Sequence, residues 1–175
     1  FITRPHIMGF IWIVFTAEML LRFFPSRMES AGCQKVFARN YRPVDKDETP
    51  RDVSKATWAI LFSWLGLNGI IAALYFTHII DKSILLLIAL AYSVCDMICI
   101  LFFCPFQTWF LKNKCCGTCR IYNWDFAMMF TPLVLIPHIF TWSLFGLGLA
   151  LAIHWEITHL RHPERFYEET NCALS

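Results

Sequence analysis

Charge is what this sequence has least of. Only 16% of its 175 residues are Asp, Glu, Lys or Arg, where a soluble domain carries about 25%. The net charge of +2 is too small to argue for nucleic acid, and no basic-and-aromatic interleaving of the RNA-binding kind occurs. Glycine is sparse, and there is no glycine-rich phosphate loop, dinucleotide fingerprint or nucleophile elbow. That absence excludes the common nucleotide-binding and serine-hydrolase signatures. Internal repeats are lacking. So is a cleavable signal peptide, because the apolar run after Arg4 contains Glu18 and Arg22 and has no small-residue cleavage site.

What fills the chain instead is apolar. Hydrophobic residues make up 57%, with seventeen Phe and seven Trp, and aromatics suit lipid and its interfaces. Four apolar segments can be counted, at approximately 5–24, 57–80, 83–106 and 126–153. Each has the roughly 20 residues that a bilayer core of about 30 Å demands, and no polar face is left to meet water. The expected fold is an all-α integral membrane protein, a single domain over 1–175, with four transmembrane helices in an up-down antiparallel bundle. Pro132 and Pro137 predict a kink in the fourth helix.

Orientation is read from Lys and Arg. The loop 25–56 carries Arg27, Lys35, Arg39, Arg42, Lys46, Arg51 and Lys55, and the loop 107–125 carries Lys112, Lys114 and Arg120. Both are therefore expected in the cytoplasm, with both visible ends, the tail 154–175 and the turn around Asp81 outward. A short amphipathic helix at the membrane surface is expected within 26–40. The opening on Phe1 and the stop at Ser175, just after Cys172, suggest residues beyond both ends.

On that topology the soft ligands divide by side. Cys33, Cys104, Cys115, Cys116 and Cys119 fall inside, and His6, His78, His154, His159 and His162 fall outside. Cytoplasmic thiols stay reduced and able to bind metal. Cys116-Gly-Thr-Cys119 has the spacing that lets two thiolates face one ion, and Cys104 and Cys115 complete a tetrahedral set. The rival readings are thiol exchange and acylated or inert juxtamembrane cysteines. Glu156, His159 and His162 repeat at helical spacing and make a second, outer candidate site. The rival there is an ordinary interfacial helix end. Within the membrane lie Glu18, Asn68, Asp96 and His138, one on each segment. Such groups are costly unless paired. Glu18 is expected to pair with Arg22, and Asp96 with His138 or Asn68. Tyr92, Cys95, Asp96 and Cys99 share a helix face.

The run KCCGTCRIYNWD, with CPFQ before it and GCQKVF in the first loop, resembles an uncharacterised group of bacterial membrane proteins. The resemblance implies a bacterial inner membrane and brings no activity with it. The run does not match the cysteine patterns of ferredoxins, rubredoxins, thioredoxins or quinone-linked disulfide enzymes closely enough to carry roles over. Three functional readings follow. The first is a transition-metal protein in metal handling or electron transfer, with zinc or iron expected and haem or copper as alternatives. The second is a membrane thiol oxidoreductase using Cys116 and Cys119, with a quinone-sized pocket near Cys95 and Cys99. The third is a non-catalytic subunit of a larger membrane complex. The expected partners are the lipid bilayer and other membrane subunits, not nucleic acid.

Overall fold

The structure, a computed structural model, describes residues 5–23, 53–102, 104–112 and 119–166. The amphipathic helix expected within 26–40, and Cys33, Cys115, Cys116 and Cys172, lie outside the described residues. The described residues are helical throughout, with no strand among them. The long helices are α1 (Pro5–Phe23), α2 (Ser54–Phe76), α3 (Lys82–Leu101) and α5 (Ile139–Arg161), and a short α4 (Asp125–Phe130) precedes the last. A π-helical turn, Phe106–Leu111, follows α3, and a 3-10 stretch, Thr131–Leu135, continues α4. Among the described residues three helices are long and apolar enough to cross a membrane: Ser54–Phe76, Lys82–Ile100 and Ile139–Arg161.

The turn between α2 and α3 is as tight as the sequence suggests. The Asp81 carboxylate caps α3 by accepting from the Ile84 N–H at 2.9 Å. His78 takes the left-handed conformation, φ 59°, that reverses the chain. Trp58, Phe62, Leu65 and Ile70 of α2 and Leu87, Leu90, Val94 and Met97 of α3 are exposed. Exposed apolar faces on this scale suit lipid rather than water.

The main departure from the sequence reading falls on segment 126–153. It is not one kinked helix but two pieces folded back on each other. Pro137 pushes Ile136 into extended backbone (φ −100°, ψ 104°), and His138 stays extended (φ −144°, ψ 143°). The Thr141 hydroxyl donates to the Ile136 and His138 carbonyls at 2.8 and 2.7 Å, which satisfies acceptors that the break releases. Trp142 Nε1 donates to the Val134 carbonyl at 3.1 Å. Farther along, Gly148 meets the backbone of Phe126 and Ala127, and Glu156 meets Trp124. The partner number falls as the α5 number rises, so the two pieces are antiparallel.

This reversal changes the direction of the last helix. Trp12 Nε1 donates to Ser143 Oγ at 2.8 Å, and near the other end Trp155 Nε1 donates to the Arg22 carbonyl at 3.0 Å. α1 and α5 therefore run parallel. Among the described residues the chain makes five alternating passes, of which the fourth is the short 125–135 piece. The up-down order is kept, with this short pass added to the four helices expected. The starts of α1 and α5 share one rim, and the ends of both share the other.

The short fourth pass is the core. Phe126, Met129, Phe130, Leu133 and Ile136 are buried, together with Met19 of α1, Ile71 of α2, Leu85 and Ala89 of α3, and Leu144, Leu151 and Trp155 of α5. Phe15 meets Phe130 edge-on, with ring centroids 5.2 Å apart. The Cα of Gly148 permits the close approach of α4 to α5, since a Cβ there would lie 3.0 Å from the Ala127 nitrogen and 3.1 Å from the Phe126 carbonyl carbon. Backbone cannot rotate out of the way. Gly148→Ala should lower stability by about 1–3 kcal/mol. Gly146→Ala, where a Cβ meets nothing within 4 Å, should be neutral or raise it by about 0.5–1 kcal/mol. Thermal unfolding of the two variants in detergent checks the contrast.

Candidate functional site

The face of α3 that builds the core also builds the site. Leu85, Ala89, Tyr92, Asp96 and Cys99 follow one another at alternating steps of four and three, which keeps them on one side of the helix. The first two are buried hydrophobics in the core. The last three line a cavity of about 370 Å³. Polarity therefore increases along a single face toward the end of α3. The cavity is closed on other sides by Trp64 and Leu67 of α2, by Cys104 to Gln107, by Cys119, Ile121 and Tyr122, and by Asp125, Met128 and Met129.

Two further segments complete the wall for local reasons. α3 stops at Leu101, and Pro105 opens the π-helical turn, where Thr108 donates to the Cys104 carbonyl through both its N–H and its hydroxyl, each at 3.0 Å. Lys112 ends the turn in the left-handed conformation, φ 50°. Leu111 then packs with Ile60, Cys119 and Ile121 in a small second core that holds Cys119 buried. Cys95, Cys99 and Cys104 are free thiols, and they and Cys119 line the cavity. Cys99 and Cys104 stand close enough at the cavity wall to act on each other electrostatically.

Charge at the cavity is anchored from α1. Arg22 Nη1 lies 2.5 Å from Asp125 Oδ2, with both side chains 5% exposed. Glu18 adds a longer contact of 3.4 Å to Arg22 Nε, as the sequence spacing suggests. The guanidinium stacks over Phe126, 4.5 Å from the ring centroid, and faces Tyr122 at 5.2 Å. Asp96 lies within electrostatic range of both Arg22 and Asp125. The partnership expected between Asp96 and His138 or Asn68 is therefore corrected. His138 sits at the chain reversal, exposed, where its Nδ1 accepts from the Phe140 N–H at 3.3 Å. Asn68 Nδ2 donates to the Trp64 carbonyl at 3.0 Å, while its Oδ1 is buried with no hydrogen bond among the described residues. The Arg22–Asp125 pair escapes sequence reading because each residue has a bland local explanation. Its only signal is the cost of placing either one at the edge of an apolar run.

The candidate site at Glu156, His159 and His162 does not assemble. Glu156 is held by Arg120, at 2.6 Å to Nη2 and 3.1–3.2 Å to Nε, and by Trp124 Nε1 at 3.0 Å. His159 packs its ring against Phe166, with centroids 4.8 Å apart, and its Nδ1 is buried with no hydrogen bond among the described residues. His162 lies past the end of α5. Among the described residues no group of three or more His, Cys, Asp or Glu side chains is placed to hold an ion. The division of ligands by side also fails. Arg120, next to Cys119, reaches Glu156 directly, so His154, His159 and His162 join the thiols at one rim, while His6 and His78 stay at the other. The cause is the chain reversal at 136–138, which returns α5 to the cysteine end.

The fold and site define an all-helical protein with three helices suited to a membrane and a thiol-lined apolar cavity at one end of them. In comparisons with known proteins, no family model, no curated protein and no solved structure matches the chain.

Removing one partner of a buried ion pair strands the other, which costs about 3–5 kcal/mol, whereas replacing both by apolar residues is often neutral. Arg22→Met alone should therefore lower the unfolding midpoint in detergent sharply, and Arg22→Met combined with Asp125→Leu should recover most of it.

Proposed function

We propose that this chain is an integral membrane protein that carries out thiol–disulfide redox chemistry at the cavity, with Cys99 and Cys104 as the working dithiol. The placement of these two free thiols together on the wall of an otherwise apolar cavity carries the reading. Oxidation joins the two sulfurs and releases two protons and two electrons. Cys119, the second cysteine of the Cys116-Gly-Thr-Cys119 turn, lines the same cavity and is the partner for exchange. The pair differs from the Cys116 and Cys119 of the sequence-based reading because Cys99 and Cys104 are both described and line one cavity, whereas Cys116 lies outside the described residues.

We keep the cytoplasmic side for the basic loops and assign the tail to that same side. Arg161, at the end of α5, joins the rim that carries the loops 25–56 and 107–125, and that rim is the cytoplasmic one by the positive-inside rule. The turn around His78 then faces outward, in a bacterial inner membrane by the resemblance noted above.

Differential alkylation of isolated membranes tests the redox reading. After treatment with diamide, denaturation and alkylation, peptide mass spectrometry should find Cys99 and Cys104 joined, with Cys95 still alkylated. Full alkylation of both after oxidation rejects the reading.

A transition-metal site is the second reading. Cys104 and Cys119 face one cavity, and with Cys115 and Cys116 they would offer four thiolates to zinc or iron, or ligands to copper or haem. Elemental analysis of protein purified under reducing conditions separates the two. About one equivalent of metal per chain, lost in Cys104→Ser and Cys119→Ser and unchanged in a Glu156→Ala/His159→Ala/His162→Ala variant, would favour the metal. Less than about a tenth of an equivalent leaves the dithiol.

A further inference from the structure

We propose that the cavity binds a quinone, a planar, lipid-soluble two-electron carrier, with a ring carbonyl directed at Tyr92 and Asp96 and the ring against Trp64, Met128 and Met129. The chemistry of this proposal rests on the thiol-redox reading, but the binding does not.

Four observations point to this class of ligand. The cavity's roughly 370 Å³ falls in the range of small-ligand sites, which are mostly apolar with a few placed polar groups. Part of its wall comes from α2 and α3, helices whose outer faces are exposed and apolar, which suits a ligand that partitions in lipid. The Tyr92 hydroxyl, at the cavity wall, is buried with no hydrogen bond among the described residues. A buried hydroxyl is normally satisfied, and a carbonyl oxygen placed there accepts its proton. Trp64 and Tyr92, both at the cavity wall, have ring centroids 4.8 Å apart and planes inclined at 55°, an aromatic corner in which either face can pack on a planar ring.

The remaining element is the dithiol on the same wall. A disulfide can form at Cys99 and Cys104 only if something removes two electrons. A quinone accepts them with the two thiol protons. Its two carbonyl oxygens become hydroxyls, the S–S bond closes, and atoms and electrons balance with no further reagent. Asp96 lines the same cavity wall as Cys99 and Asp125, one helical turn before Cys99 on the same face of α3. As a carboxyl group at the cavity wall it can take a proton from a thiol and return it to a quinone oxygen.

The test uses the full chain in detergent, with Cys99→Ser and Cys104→Ser so that no reaction follows binding. A short-tailed benzoquinone is titrated and quenching of tryptophan fluorescence is read. Saturable binding is expected, weakened by about threefold to tenfold in Tyr92→Phe, which keeps the ring and its packing. Asp96→Leu should weaken it by at least about tenfold. A matched hydrocarbon tail without the quinone ring should compete poorly. Equal competition by the bare tail would overturn the proposal and make the cavity a lipid-chain site. Unsaturable quenching, or identical affinities in all variants, would also overturn it. Quinone binding without a Cys99–Cys104 disulfide in the parent protein would remove the redox reading and leave this one standing. A disulfide formed by diamide without quinone binding would do the reverse.

Discussion

A cation that cannot reach water sets the arrangement of this molecule. Arg22 sits near the end of α1 with its side chain 5% exposed and Asp125 against it. The same residue's carbonyl accepts from Trp155 of α5. One residue therefore ties together the first helix, the start of the short fourth pass and the last helix. A charged pair in a dry interior gains stability only when its geometry is good and its other hydrogen-bonding groups are satisfied. Here Glu18, the Phe126 N–H and two aromatic faces supply the remainder.

That requirement places Asp125 at the rim where α1 ends, and the residues after it must then enter the core. Phe126, Met129, Phe130 and Leu133 do so as a compact α-helical and 3-10 pass. The pass reaches the opposite rim in few residues, and Pro137 turns the chain there. Returning along α1, α5 brings Trp155 and Glu156 back to the ion pair and to Arg120. The thiol-lined cavity lies beside this junction, walled on one side by Asp125 and on the other by the polar end of the α3 face. Redox chemistry at that place would have a rigid electrostatic floor, since neither Arg22 nor Asp125 is free to follow a moving charge.

Much of this was legible in residues at short spacing. The apolar runs identify helices suited to a membrane. Asp81 and its neighbours mark the tight turn between α2 and α3. The Glu18–Arg22 contact and the shared face of Tyr92, Cys95, Asp96 and Cys99 follow from helical periodicity alone. What stayed hidden depends on the sign of one turn. Two prolines five residues apart in an apolar run are compatible with a kink or with a full reversal. A kink sends α5 to the far side and separates thiols from imidazoles. A reversal brings His154, His159 and His162 to the thiol rim and sets Glu156 against Arg120.

From the sequence alone come the lipid-suited composition, the helical class, the alternating passes up to α3 and the identity of the polar residues that need partners. Those properties are local, resting on hydropathy and a fixed 1.5 Å rise per residue. The tertiary structure decided which partner each polar residue found and which rim the last helix ends on. Both depend on packing between segments far apart in the chain. Gly148 against Phe126 and Arg22 against Asp125 are contacts that no periodicity encodes.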